Sequence, residues 1–350
     1  MEKKMKAVVM HGPRDMRLEE RDIPTPGPGE LLVKVEYVGI CGSDMHFLEE
    51  GRLGNWVVDK PLILGHEAAG EVAGVGPSVC GFAIGDKVTM EPGVPCGNCD
   101  MCMKGYYNLC RHMSFMAIPG ERDGVFRQYT THPAKMCFKL PNNVGTMEGA
   151  LCEPLAVGLY AVQKSGAFLG QSAVIFGSGC IGLVTMLVLK AAGIHDITVV
   201  DIIQKRLDKA LELGASRVIR GDREDAVKVV LEATEGQGVP LVFECAGTQT
   251  TILEAGKIVA ANGVVVLVGM AAEPELKMDI GTISAREARV ETIFRYRNLY
   301  PTAIKAVESG AIPLGKIASH IFSFDNMIEG MYHNMDHKDE VIKGVISMVD

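Results

Sequence analysis

The chain lacks what would place it on a nucleic acid or in a membrane. It has no basic excess: 35 lysines and arginines face 43 acidic residues, a formal charge of −8. A nucleic-acid surface needs a basic face, and an anionic membrane attracts basic segments. No apolar run reaches about 20 residues. Ala173 to Leu189 (AVIFGSGCIGLVTMLVL) comes nearest, but the turn FGSGCIG interrupts it. The first ten residues hold too short an apolar stretch for an export signal. Cysteine is too sparse for a disulfide scaffold, at 10 of 350 residues. There is no internal repeat and no low-complexity segment. These absences lead to the expectation of a cytoplasmic protein acting on small molecules, with about two domains. A composition of 22% charged and 47% hydrophobic residues is that of a folded globular chain.

Two features are in excess. Glycine reaches 40 residues, and four of the ten cysteines fall between Cys96 and Cys110. The chain also changes character near residue 155. Before it, short β-like runs such as KAVVM, ELLVKVEYVGI and DKVTME alternate with Gly/Pro punctuation, an irregular β-rich pattern. After it, strand and helix alternate from SAVIFG to GVVVLVGM, which predicts a doubly wound parallel sheet buried on both faces. The rhythm is lost after about Thr292.

Gly177, Gly179 and Gly182 form G-x-G-x-x-G directly after the strand AVIF and before an apolar helix. An acid, Asp201, ends the next strand, 24 residues after Gly177. That context predicts a dinucleotide site. Gly177 allows the tight turn, Gly179 lets backbone N–H groups approach a pyrophosphate, and Gly182 lets helix and strand pack closely. Asp201 would accept hydrogen bonds from the adenosine ribose and repel a 2′-phosphate, favouring NAD over NADP. Arg206 is the nearby cation that could accommodate the phosphate, while Lys205 reads as part of a solvated helix face.

Cys96, Cys99, Cys102 and Cys110 are spaced C-x2-C-x2-C-x7-C. Four thiolates in one loop fit a closed, structural zinc site. An iron–sulfur cluster is the alternative, but its bacterial form spaces the last cysteine by about three residues and follows it with proline. Here the last spacing is seven and Arg111 follows. A disulfide pair is the third reading. Further polar groups are dispersed: Cys41 in CGSDMH and His66-Glu67 after PLIL, both read as loops, and Glu153 in LCEP at the domain boundary. Singly these are bland. One Cys, one His and one or two Glu beside a dinucleotide fold make a catalytic zinc site with an open position.

The chain resembles the medium-chain, zinc-dependent alcohol dehydrogenases. Within them it is similar to the sorbitol (L-iditol), xylitol and related polyol dehydrogenases. CGSDMHFLEEGRLGNW, PLILGHEAAGEVAGVG, GDKVTMEPG, the four-cysteine lobe, GALCEPLAVGLYA, VIFGSGCIGL and IFRYRNLYP carry the resemblance across nearly the whole chain. It implies a GroES-like catalytic domain (1–155 and 293–350) and a Rossmann NAD-binding domain (156–292). It also implies NAD-linked, reversible oxidation of a polyol hydroxyl to the ketose, in an active site between the domains. By the same resemblance, Cys41 and His66 bind the catalytic zinc and Glu67 is a ligand or near-ligand. Glu153 binds zinc directly or through water. Ser43 and His46 relay the proton. Arg295 and Tyr296 reach substrate hydroxyls, and Phe115 lines the pocket. Phe47 and Ile118 stand where sorbitol dehydrogenases often carry tyrosine and threonine, so the pocket loses two hydroxyls and its substrate preference shifts from sorbitol. A butanediol, threonine or simple secondary-alcohol dehydrogenase is the alternative within the family. The family forms homo-oligomers, tetramers or dimers. Cys80, Cys137, Cys152, Cys180 and Cys245 are read as packing.

Overall fold

The computed structural model describes residues 4–271, 273 and 275–349. The chain divides into two compact units, residues 1–153 with 300–350, and residues 154–299.

The first unit is built on an antiparallel hairpin, Lys4–Gly12 with Asp15–Asp22, and a mixed seven-stranded sheet. In that sheet Glu30–Gly39 lies between Glu67–Val75 and the late strand Gly344–Ser347. The end of the chain therefore returns to the early sheet, through Val345 opposite Gly39. Met10, Leu31, Leu48, Leu64, Met90 and Phe126 are fully enclosed in its core. Burying a side chain of this size contributes about 1.5–3 kcal/mol.

The second unit holds six parallel strands in the order Arg217–Arg220, Asp196–Asp201, Ser172–Phe176, Val239–Glu244, Val259–Leu267 and Arg289–Thr292. That is the 3-2-1-4-5-6 order of a doubly wound dinucleotide-binding sheet, and the order reverses beside Ser172–Phe176. Four successive residues of that strand, Ala173 to Phe176, are buried, as both-face covering requires. The connecting helices Cys180–Ala191, Gln204–Glu212, Ala226–Ala233 and Gln249–Ile258 follow the predicted alternation. One strand starts earlier than its apolar run. Val259 already pairs with Val239, and a bulge around Asn262 (φ 56°) precedes the GVVVL segment.

No helix among the described residues is long and apolar enough to cross a membrane. Two segments read as loops are helical or part of a strand. Gly42–Glu50 is a helix with Cys41 at its N-cap and Gly51 (φ 70°) ending it. Glu67 opens the strand Glu67–Val75. Glu153 is likewise no loop end: it lies within the helix Thr146–Ser165, with Pro154 after it. The proline costs that helix one backbone hydrogen bond.

Candidate active site

Cys41, His66 and Glu67 each offer a ligand atom, and these atoms lie within 4.8 Å of one another. The first comes from a helix N-cap, the second from the turn after PLIL, and the third from the start of a strand. A residue that the sequence reading left without a role organises them. The Asp44 carboxylate is buried (1% exposed). It accepts the backbone N–H of Cys41 (3.0 Å) and of Gly65 (3.1 Å), and Oδ1 lies 3.8 Å from His66 Nδ1. One carboxylate thus ties the Cys41 cap to the His66 turn. Its signal in the sequence is an acid three residues after a helix N-cap, the capping-box position. Gly65 has φ 86°, and a Cβ there would meet the Phe126 ring at 2.8 Å, so the turn that presents His66 admits only glycine. The Phe115 ring packs on His66 with centroids 5.6 Å apart.

Behind the cluster, Glu67 pairs with Lys343, a residue sequence reasoning missed because it lies 276 positions away. Nζ is 2.6 Å from Oε1 with hydrogen-bonding geometry and 2.5 Å from Oε2 without it. The same Lys343 donates to the Ile40 carbonyl at 2.9 Å. Gly39 is held to glycine by this carboxylate, since a Cβ would sit 2.0 Å from Glu67 Oε2.

The residues fit a divalent cation. Burial would push the His66 imidazole down, yet Cys41, Asp44 and Glu153 around it pull it up to about 10. That surplus of negative donors is what a zinc ion neutralises. Ser43 and His46 occupy the same helix, three residues apart, where side chains share a face. The His46 side chain is 41% exposed, with Nδ1 3.4 Å from Glu50 Oε1. Phe47 is fully enclosed in the core and Ile118 is buried (1% and 6% exposed).

The four-cysteine loop forms a second cluster. No disulfide joins any two cysteines among the described residues. The Sγ–Sγ distances are 3.5 Å for Cys96–Cys110 and Cys99–Cys102, 3.9 Å for Cys99–Cys110 and 4.0 Å for Cys96–Cys102. Sulfurs about 2.3 Å from one tetrahedral centre would stand about 3.8 Å apart, whereas a disulfide needs about 2.05 Å. Backbone N–H groups of Cys102 and Arg111 hold the Cys99 thiol down to about 6, while burial pushes the Cys102 thiol beside it up to about 12.

In the second unit the glycine loop closes on Asp201. Its Oδ2 accepts the Ser178 N–H (2.6 Å) and Oγ–H (3.0 Å), and Oδ1 accepts the Ile203 N–H (2.9 Å). Asp201 therefore shapes the loop as well as facing it, and a carboxylate has about four acceptor positions, so capacity remains. A Cβ on Gly182 would lie 1.8 Å from the Gly177 carbonyl, the close helix–strand contact expected of that position. The Arg206 guanidinium lies 3.9 Å from the Cβ position of Gly179. Arg295 (φ 55°) stacks over Phe294, 4.8 Å from its ring centre, and Tyr296 is buried (3% exposed) in this unit.

Comparison with known proteins places this geometry. Residues 27–142 match the alcohol dehydrogenase GroES-like domain, and residues 180–309 the zinc-binding dehydrogenase family. The uncharacterized zinc-type alcohol dehydrogenase-like protein YdjJ of Escherichia coli is 40% identical over 98% of both chains. The sorbitol dehydrogenase of Bacillus subtilis is 37% identical over 98% of this chain and 97% of its own. The crystal structure of a zinc-binding dehydrogenase from Sinorhizobium meliloti, bound to NADP, superposes with a TM-score of 0.91 at 32% identity. It covers 98% of this chain and 99% of its own. With both clusters, the glycine loop and this likeness along its length, the chain belongs to the zinc-dependent alcohol dehydrogenase family and is a dehydrogenase.

Proposed function

We propose that the protein oxidises a secondary hydroxyl of a polyol to the ketone, reversibly and with NAD. The observation that carries the reading is the convergence of Cys41, His66 and Glu67 within 4.8 Å, in a chain whose sheet ends in a dinucleotide-type glycine loop. The likeness to a sorbitol dehydrogenase supports the polyol.

Cys41, His66, Glu67 and Glu153 would hold the catalytic zinc, and Cys96, Cys99, Cys102 and Cys110 the structural one. When bound, the first ion supplies Lewis acidity to the substrate oxygen and the nicotinamide accepts the hydride. The protein's own part is orientation and proton movement. Asp44 fixes the Cys41 and His66 donors, and Lys343 offsets the Glu67 charge. Ser43 takes the proton leaving the substrate hydroxyl, and His46, exposed at the helix surface, delivers it to water. Arg295 and Tyr296 bind further hydroxyls, Phe115 walls the pocket, and Phe47 and Ile118 withhold the hydroxyls that would favour sorbitol. Asp201 selects NAD through the ribose, against the NADP seen in the Sinorhizobium meliloti relative. Gly177, Gly179 and Gly182 seat the pyrophosphate, and Arg206 is the nearby cation that would accommodate a 2′-phosphate. The catalytic domain comprises 1–155 and 293–350, and the Rossmann domain 156–292. We place the protein in the cytoplasm as a homo-oligomer, a tetramer or dimer.

A panel of xylitol, sorbitol, galactitol, 2,3-butanediol and threonine, each with NAD and NADP, tests this. Turnover of a polyol with NAD supports it. Turnover confined to butanediol or threonine overturns the substrate class, and preference for NADP overturns the role given to Asp201.

A further inference from the structure

The parallel sheet holds a buried carboxylate that this reading leaves without a role. Glu244 ends the strand Val239–Glu244 and is wholly enclosed (0% exposed). Its Oε1 accepts three hydrogen bonds, from the N–H of Ala246 (2.9 Å), the N–H of Gly247 (2.8 Å) and the hydroxyl of Thr251 (2.7 Å). Its main-chain carbonyl accepts the N–H groups of Val268 and Gly269, each at 2.8 Å. One residue thus ties together the turn leaving its own strand, the first turn of the helix Gln249–Ile258, and the turn leaving the next strand. Its Oε2 is buried with no hydrogen-bond partner, which is costly unless the arrangement serves something.

The turns it ties are packed glycine against glycine. A Cβ on Gly269 would lie 2.3 Å from Gly247 N and 2.9 Å from Glu244 Oε2. One on Gly247 (φ 70°) would lie 2.3 Å from the Met270 carbonyl. Gly177 of the glycine loop abuts the same turn, its Cβ position 3.1 Å from Ala246 N. The glycine loop, residues 245–247 and residues 268–270 therefore form one ledge along the carboxyl ends of three adjacent strands.

Asp201 lies on the other side of the glycine loop, at the end of the strand on the opposite flank of Ser172–Phe176. In a sheet of this order a dinucleotide crosses the switch point with one half on each side. If Asp201 takes the adenosine ribose, the other half falls on the ledge. We infer that Glu244 is a positioning residue that fixes, through the backbone of 245–247 and 268–270, the ledge receiving the nicotinamide–ribose half of the cofactor. The inference rests on the dinucleotide-linked reading proposed above. Burial pushes the Glu244 carboxyl above its usual range, against the pull of Thr251 and the neighbouring N–H groups. A neutral amide with one carbonyl oxygen is therefore a fair substitute for it.

The test compares wild type, Glu244→Ala and Glu244→Gln by calorimetric binding of 5′-AMP and of NADH. Amide hydrogen exchange of the cofactor-free protein is followed alongside. The alanine variant should bind AMP within about twofold of wild type and NADH at least about tenfold more weakly. Exchange should quicken at Ala246 and Gly247, which lose their acceptor. The glutamine variant should recover most of the NADH affinity. Unchanged NADH affinity in the alanine variant overturns the inference, as does equal weakening of AMP and NADH. Wild-type protein that binds neither NADH nor NADPH refutes the cofactor reading itself, before any variant is made.

Discussion

Glu67 and Lys343 are 1% and 3% exposed at their side chains, so each charge depends on the other. Removing one partner of a buried pair costs about 3–5 kcal/mol. Lys343→Met should lower the stability of the zinc-stripped protein by about that amount in denaturant titration, and adding Glu67→Gln should recover most of it. A second buried group sets an acid limit. The His132 imidazole is held down to about 3, first by burial and then by Arg122, against the raising effect of its bond to the Glu91 carbonyl. Folded His132 is neutral, whereas unfolded His132 takes a proton below about pH 6.5. Stability is therefore lost as pH falls from about 6.5 towards about 3, and nothing is lost above that window. His132→Gln, which keeps an amide donor for the Glu91 carbonyl, should make the slope of stability against pH shallower by about 1.4 kcal/mol per unit between about pH 4 and 6. An unchanged slope would mean His132 is charged in the fold. At the metal cluster, Cys41→Ala should remove one zinc per chain by elemental analysis and abolish turnover. NADH affinity should stay within about twofold.

Elements differ in how much of them the sequence disclosed. The parallel strands were legible because residues 173–176 are an unbroken apolar run next to turn residues, and their counterparts in the two neighbouring strands are apolar but for Thr198 and Glu244. The helix Gly42–Glu50 was not: its buried positions 44, 45, 47 and 48 share one helical face, but the segment is only nine residues long and one of the four is the acid Asp44. The helix Thr146–Ser165 hid behind Pro154 and two glycines. Those glycines answer to close contacts: a Cβ on Gly149 would lie 2.6 Å from Leu140 Cδ1, and one on Gly158 3.0 Å from Thr185 N. Local propensity lost to tertiary packing in both helices. The four-cysteine loop was legible from spacing alone, since its ligands are neighbours in the chain. Its short helix, Asp100–Met103, has no buried residue, so a core does not hold it, and the proposed metal would. Cys110→Ser should cut the zinc content by one per chain and make residues 96–110 the first segment cut by protease, with the activity of the surviving protein largely retained. Loss of both zinc ions would show that the two sites are not independent.

At the scale of the molecule, the active-site residues come from distant parts of the chain. Glu67 lies beside Cys41 because Glu67–Val75 pairs with Glu30–Gly39, and Lys343 reaches them because Gly344–Ser347 pairs with the same strand. No local pattern reports that return, so Lys343 was invisible, whereas Cys41, His66 and Glu67 could be named through resemblance and Asp44 left only its capping-box position as a signal. The glycine loop and Asp201 were readable because 24 residues contain the whole motif. We propose that this convergence makes a zinc-dependent, NAD-linked polyol dehydrogenase. The most direct measurement is steady-state NADH formation from xylitol, sorbitol and galactitol beside 2,3-butanediol and threonine, with His66→Ala as control. A polyol should exceed butanediol and threonine in kcat/KM by at least about tenfold, with no turnover in the control. Turnover of butanediol or threonine alone, or a fully active His66→Ala protein, would contradict it.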